Sequence, residues 1–238
     1  MKIMTFNLKN DGLFIFGRWK KRLKGFVNLI KEEKPDVIGT QEMTYKAKIL
    51  LEKLLKENNL KYNFYGESRK RNKKLYDEYN CILVNPKIKV LNANTFSLSE
   101  TPLIPKTKFK NDRFPRIITE IETKDFYFYN THLSNKVDEN KKLQLNCITN
   151  LLKKDKPIIM TGDFNLGIKR LKNFCEKNSF IDTTKTIGKT FTTKKEIYHL
   201  DHILIDKNLK FNNPIKHDYK YKNKYISDHY PVSVEIKK

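Results

Sequence analysis

Apolar and polar positions along this chain alternate in short bursts. Eight runs are brief, rich in β-branched or aromatic residues, and bounded by turn residues: "KIMTFNL", "DVIGTQEM", "YNCILVN", "RIITEIET", "DFYFYNTHL", "PIIMTGDFN", "HLDHILID" and "YPVSVEIKK". That pattern predicts β-strands. Four segments carry a helical period instead. "RWKKRLKGFVNLIKEEK" sets Leu23, Phe26, Val27 and Ile30 on one face and stops before Pro35, where a helix should end. "YKAKILLEKLLKENN" does the same with Ile49, Leu50, Leu54 and Leu55. "ENKKLQLNCITNLLKKD" leads into Pro157, and "GIKRLKNFCEKN" follows Asn165. Strands dominate and helices are interspersed, with no internal repeat or low-complexity linker. The expectation is an α/β chain with partly antiparallel sheets, layered into one domain over residues 1–238.

Composition sharpens this only in places. At 238 residues, 38% hydrophobic, with a mean hydropathy of −0.68, the chain has enough apolar content for a real core and no run long enough to span a bilayer. "MKIMTFNL" enters a strand pattern at once and lacks the zones of a signal peptide, so the expected location is the cytoplasm. Cys81, Cys147 and Cys175 match no disulfide or zinc spacing and read as small buried apolar residues. The net charge of +22 suggests an anionic partner such as nucleic acid. Abundant Lys, Asn, Ile, Phe and Tyr also resemble the coding bias of an AT-rich genome, so where the charge lies matters more than its total.

The chemistry gathers at strand ends. "TFNL" presents Asn7, "VIGTQE" presents Glu42, "FYNTHL" presents His132, and "IMTGDFN" presents Asp163 and Asn165 on one face with Phe164 behind. "HLDHIL" contains Asp201, and "ISDHYPV" opens on Asp228 and His229. Singly, each acid reads as a cap or turn former. Together they propose a site rich in carboxylate and amide oxygens with two histidines and no thiol. That donor set suits a hard divalent cation, Mg²⁺ or Mn²⁺, better than zinc.

"TFNL", "PDVIGTQE", "DEYNCILV", "SLSETP", "NTHL", "GDFN", "LDHIL" and "SDHYPV" occur in an order and spacing that resembles the endonuclease/exonuclease/phosphatase superfamily, from Lys2 to about Glu235. "SLSETP" and "GRWKKR" look like its general bacterial branch, and "LKNDG" after Asn7 departs from the abasic-site repair enzymes. The resemblance to this deoxyribonuclease I-like group implies a four-layer α/β sandwich with two central mixed β-sheets flanked by helices. It also implies roles. Glu42 looks like the principal metal carboxylate, with Asn7 and Asp228 nearby. Asp163 and Asn165 match the pair facing the attacking water and the phosphate. His229, paired with Asp201, matches the histidine on the scissile phosphate. Glu78 with His132 resembles a second such pair across the phosphate. His199 and His202 read as ordinary surface or strand residues.

The implied activity is metal-dependent hydrolysis of phosphodiester bonds by in-line water attack. Basic clusters at 18–24, 69–74, 106–116 and 220–224 sit beside these stations, with Trp19, Tyr65, Phe109 and Tyr221 among them as candidate stacking residues. They favour a nuclease acting on DNA or RNA, working as a monomer. A phosphomonoesterase of a small sugar or inositol phosphate is the alternative, and a catalytically silent nucleic-acid-binding module is a third reading.

Overall fold

The computed structural model describes residues 1–10, 18–71, 74–192 and 198–237. Asn72 and Lys73 of one basic cluster lie outside the described residues, as do residues 193–197 ahead of Leu200.

Two six-stranded mixed sheets form the middle of the molecule. One runs β13 (Phe211–Lys216), β16 (Val232–Ile236), β1 (Lys2–Asn7), β2 (Val37–Gln41), β6 (Ile82–Val84), β4 (Asn63–Tyr65). The other runs β11 (Phe180–Asp182), β12 (Asp201–Asp206), β10 (Ile158–Asp163), β9 (Tyr127–His132), β8 (Ile117–Thr123), β7 (Val90–Ser97). In each sheet the central pair is parallel, β1 with β2 and β9 with β10, and the flanking pairs are antiparallel. A parallel pair needs a crossover, and helices supply it. Helix α1 (Arg18–Glu33) joins β1 to β2, and α3 (Asp138–Leu151) joins β9 to β10.

Side-chain alternation builds the layers. On β1, Met4 and Phe6 point outward and pack with Phe26 and Ile30 of α1 and Leu51 and Leu54 of α2 (Tyr45–Glu57). On β10, Met160 points outward toward Ile148 of α3 and Leu171 of α4 (Ile168–Lys177). Between the sheets, Ile3, Val37 and Val232 meet Phe128, Ile159 and Ile203. The result is the expected α/β/β/α sandwich. The buried stripe of α2 is Ala47, Leu51, Leu54 and Leu55, whereas Ile49, expected on the inner face, is 47% exposed. All three cysteines are free and buried, and burial pushes the Cys81 thiol up to about 12. Among the described residues no helix is long and apolar enough to cross a membrane.

Candidate active site

The gap between the sheets is apolar at one end and polar at the other. Moving along β1, the inward positions go from Ile3 to Thr5 to Asn7. Along β2 they run Val37, Gly39, Gln41, along β9 Phe128, Asn130, His132, and along β10 Ile159, Thr161, Asp163. The middle positions, with Gln41, form a buried network that leaves Gln41 Oε1 without a partner. Gln41 Nε2 donates to Asn130 Oδ1 at 2.7 Å and Thr5 Oγ1 at 3.1 Å, and Thr161 Oγ1 donates to Asn130 Oδ1 at 3.1 Å. Asn130 Nδ2 donates to the Thr40 carbonyl at 2.8 Å, tying one sheet to the other. These side chains are fully buried, so their mutual pairing offsets a desolvation cost that would otherwise fall on each. Gly39 lets the sheets approach here: a Cβ at that position would stand 2.0 Å from Thr161 Oγ1.

This rigid tier carries the next one. Strand register sets His132, Asp163 and Asp201 side by side in a row across the second sheet. Asn7 of the first sheet reaches over to it, donating from Nδ2 to Asp163 Oδ2 at 3.0 Å and to Glu42 Oε1 at 3.2 Å. Asp163 Oδ2 lies 3.6 Å from His132 Nε2 and 3.7 Å from His229 Nε2. His229 precedes β16, its ring set edge-on to Phe191, and its Nδ1–H donates to Asp201 Oδ2 at 2.8 Å. Asp163, Asp201 and His229 thus cluster closely, with His229 hydrogen-bonded to Asp201 through Nδ1 and its Nε2 turned toward Asp163.

Electrostatics separate these groups. Burial pushes the Asp163 carboxyl up to about 6, with His229 pulling against it and Asp201 reinforcing it. Burial alone would depress His229, but the Asp201 and Asp163 carboxylates outweigh it and lift the imidazole to about 10. His132 goes the other way: burial, then the nearby charges of Arg116, His229 and Arg69, hold it well below the ordinary histidine range. One histidine is therefore charged and the other neutral at pH 7.

Other expected residues lie differently. Glu78 and His132 line one cleft, with no hydrogen bond or ion pair joining them among the described residues. The Glu78 carboxylate accepts from Asn10 Nδ2 at 2.8 Å and pairs with Arg69 at 2.8 Å. Asp228 is held by Lys9 at 3.0 Å. Asn165 has φ 50°, a left-handed conformation that Asn tolerates better than most residues, and its backbone N–H donates to Asp163 Oδ1 at 2.9 Å while Nδ2 donates to the Leu133 carbonyl. The N-cap of α4 is Gly167 with no side-chain bond, so neither Asp163 nor Asn165 caps that helix. Glu42 also stands in the left-handed region, at φ 55°, which for Glu is strained and typical of a functional position.

Glu42 is a candidate cation ligand. Its Oε2 accepts from the Asn10 N–H at 2.7 Å, no cationic side chain pairs with it among the described residues, and burial holds its pKa above the ordinary range. Glu42 and Asp228 offer carboxylate oxygens, the donor type a hard divalent cation prefers, whereas Asn7 turns Nδ2 toward Glu42 and Asp163 and its Oδ1 accepts from the Lys9 N–H.

Several contributors escaped the sequence reading. Arg116 and Arg69 line a cleft of about 420 Å³ with Glu42, Glu78 and His132. They ended and began two basic clusters, but nothing in those clusters marked them from their neighbours. Asn10 braces both Glu42 and Glu78. His202, expected to be an ordinary strand residue, is fully buried behind Phe164, donating to Asp182 Oδ2 at 2.8 Å and the Leu166 carbonyl at 2.9 Å. Both partners only accept, so both ring nitrogens carry hydrogen and neither can ligate a metal. His199 is buried as well, bonded to Thr184 Oγ1. Of the proposed stacking residues, Phe109 is buried, and Trp19 and Tyr65 pack against the core.

Comparison with known proteins agrees with this architecture. The endonuclease/exonuclease/phosphatase family model matches residues 4–229. A protein of Acanthamoeba polyphaga mimivirus, described as uncharacterized protein L388, is 27% identical over 253 residues, covering 91% of each chain. The mannosyl-6-phosphatase Bt3783 of Bacteroides thetaiotaomicron superposes over 100% of both chains with a TM-score of 0.82 at 22% identity. TDP2 of D. rerio, in complex with a single-strand DNA product, superposes over 100% of this chain and 99% of its own with a TM-score of 0.72 at 14% identity.

Proposed function

The chain belongs to the endonuclease/exonuclease/phosphatase family, whose fold hydrolyses phosphate esters, and from that premise we propose that it is a metal-dependent phosphodiesterase acting on DNA or RNA. The observation that carries the reading is the placement of Asp163 Oδ2 within 3.6 to 3.7 Å of both His132 Nε2 and His229 Nε2, with Asp201 behind His229.

In this reading the phosphate sits over Asp163, between the two imidazoles. His229, charged at neutral pH, donates from Nε2 to a phosphoryl oxygen and stabilises negative charge as it grows in the transition state. Asp201 keeps that ring oriented and protonated. Asp163 is ionised above about pH 6 and holds the attacking water, accepting its proton as oxygen bonds to phosphorus and the bridging oxygen leaves. Neutral His132 offers a hydrogen bond without a second buried positive charge. Asn165, whose Nδ2 already donates to the Leu133 carbonyl, would offer its second amide hydrogen to the phosphate from the turn after Asp163. Glu42, Asn7 and Asp228 would hold Mg²⁺ or Mn²⁺, which neutralises phosphate charge and assists the leaving oxygen when bound. Glu78 acts at one remove, fixing Arg69 beside the phosphate and Asn10 beneath Glu42.

Nucleic acid is favoured as substrate by the arginines of the cleft, since Arg69, Arg113 and Arg116 line it together. A sugar phosphomonoesterase is the second reading, favoured by the full-length likeness to the Bacteroides mannosyl-6-phosphatase, although a shared fold does not carry substrate. One plate separates them: plasmid DNA, a labelled RNA and a panel of sugar phosphates, each with Mg²⁺, Mn²⁺ or EDTA. Metal-dependent nicking or RNA cleavage supports the nuclease, and phosphate release from small esters alone refutes it.

A further inference from the structure

Beyond Asp228 the site opens into a second cleft, of about 550 Å³. Lys21 and Arg22 of α1 form one wall. Lys222 and Lys224, on the hairpin of β14 (Lys220–Tyr221) and β15 (Lys224–Tyr225), form the other. Lys9 and Asp228 close its inner end. Among the described residues lining it, Lys9, Lys21, Arg22, Lys222 and Lys224 are cationic and Asp228 is the acid, already held by Lys9, while Arg22 Nη2 donates to the Lys9 carbonyl at 2.7 Å. Among the described residues no acid pairs with Lys21, Lys222 or Lys224. Lys21, Lys222 and Lys224, gathered with little counter-charge among the described residues, repel one another, which makes such a cleft a field trap for an anion.

The walls are held by packing. A two-stranded hairpin is marginal alone, but this one is seated on α1. A Cβ at Gly25 would stand 2.4 Å from Ile226 Cγ2 and 2.7 Å from Tyr221 Cβ, so only glycine lets the hairpin base lie flush on the helix. Glycine weakens a helix interior, and this close seating is its compensation.

The cleft also borders the catalytic tier. Ser227 Oγ donates to the Asn7 carbonyl at 2.7 Å and accepts from the His229 N–H at 3.2 Å. The reacting centre thus has one basic cleft on the side of Glu78 and His132 and another on the side of Asp228. A small phosphomonoester has no use for the second. A polyanionic strand has phosphates to place in both.

We infer that the cleft between α1 and the β14–β15 hairpin binds a backbone phosphate flanking the scissile one, so that the substrate is an extended phosphodiester chain. This rests on the nuclease reading above. The test compares a single-stranded 12-mer with bis(p-nitrophenyl) phosphate, which presents only the scissile group. Both are assayed with wild type and with the double variant Lys222→Glu plus Lys224→Glu, at 50 to 200 mM NaCl. The ratio of kcat/KM for the 12-mer to that for the small diester should fall at least tenfold. The fall should lie in KM, and the salt dependence should become shallower by roughly 0.7 in log–log slope for one lost phosphate contact. An unchanged ratio and slope in an active enzyme overturns the subsite alone. A wild type that cleaves the small diester but never the 12-mer overturns the nuclease reading and the subsite with it. If the double reversal lowers Tm, Lys222→Gln plus Lys224→Gln takes its place, with a smaller fall in the same ratio.

Discussion

His229 Nδ1 stands 2.8 Å from Asp201 Oδ2, with both side chains buried and Phe191 against the ring. A carboxylate so placed holds the imidazole as a cation well past neutral pH, to about 10. Asp201→Asn keeps the shape and removes the charge. His229 should then lose its proton near or below the ordinary histidine range. At pH 8, kcat should fall by about 10² to 10⁴. The alkaline limb of the rate profile should move from about 10 to below 7. A pH–rate profile of the variant that matches wild type would contradict the pairing.

Asp163 makes the opposite contribution to stability. Its folded pKa of about 6 exceeds the ordinary carboxyl value of 3.8, so the folded state binds the proton more tightly. The associated stability is fully present below about pH 4 and is lost as pH rises through about 6. Asp163→Asn, neutral throughout, should therefore be inactive yet more stable than wild type above pH 6, by up to about 3 kcal/mol. At about 2–4 °C per kcal/mol, melting curves in EDTA between pH 4 and 8 resolve it. The gap between variant and wild type should open with rising pH.

Gly39 tests the buried tier beneath the site. Gly39→Ala drives a methyl group into Thr161 and Asn130, and overpacking of this kind costs about 1–3 kcal/mol. Urea unfolding should show the loss. Activity per folded molecule should fall as well, because the same tier sets the spacing of Asn7 from Asp163.

His202 tests the rear of the catalytic turn. Its ring joins Asp182 to the Leu166 carbonyl and packs edge-on against Phe164. His202→Ala leaves Asp182 without its cation in a buried setting, and removing one partner of such a pair costs about 3–5 kcal/mol. Asp182 raises the His202 pKa against the opposing effect of burial, so the stability from this pair is fully present below about pH 6.5 and lost as pH rises through the higher folded value. Denaturation of wild type and variant across pH 5 to 9 should show the difference shrinking toward alkaline pH.

The central strands were legible because their inward positions are apolar at one end and polar at the other, a gradient written directly into "KIMTFN" and "PIIMTGD". The edge strands were not. β7 is half exposed and polar, and β13 carries Pro214 and a register shift, so neither shows clean alternation. The hairpin at 220–225 reads only as a basic loop. In α2 the Ala47, Leu51, Leu54 stripe was available at helical spacing, but the larger Ile49 and Leu50 drew the face away from it. Partners were harder than positions. Glu78 meets Arg69 and Asn10 through loops whose approach no local pattern encodes. His202 alternates with Asp201 on β12, which places it on the opposite face, yet only the packing of Phe164 and Asp182 reveals that face as buried.

The most direct test of the account is single-turnover cleavage of a labelled oligonucleotide at pH 8 with Mg²⁺, by wild type and by His229→Ala of equal Tm. Cleavage by wild type that EDTA abolishes, with a loss of at least about 10² in the variant, is the predicted result. Equal rates in the two proteins, or wild-type cleavage unaffected by EDTA, would contradict it.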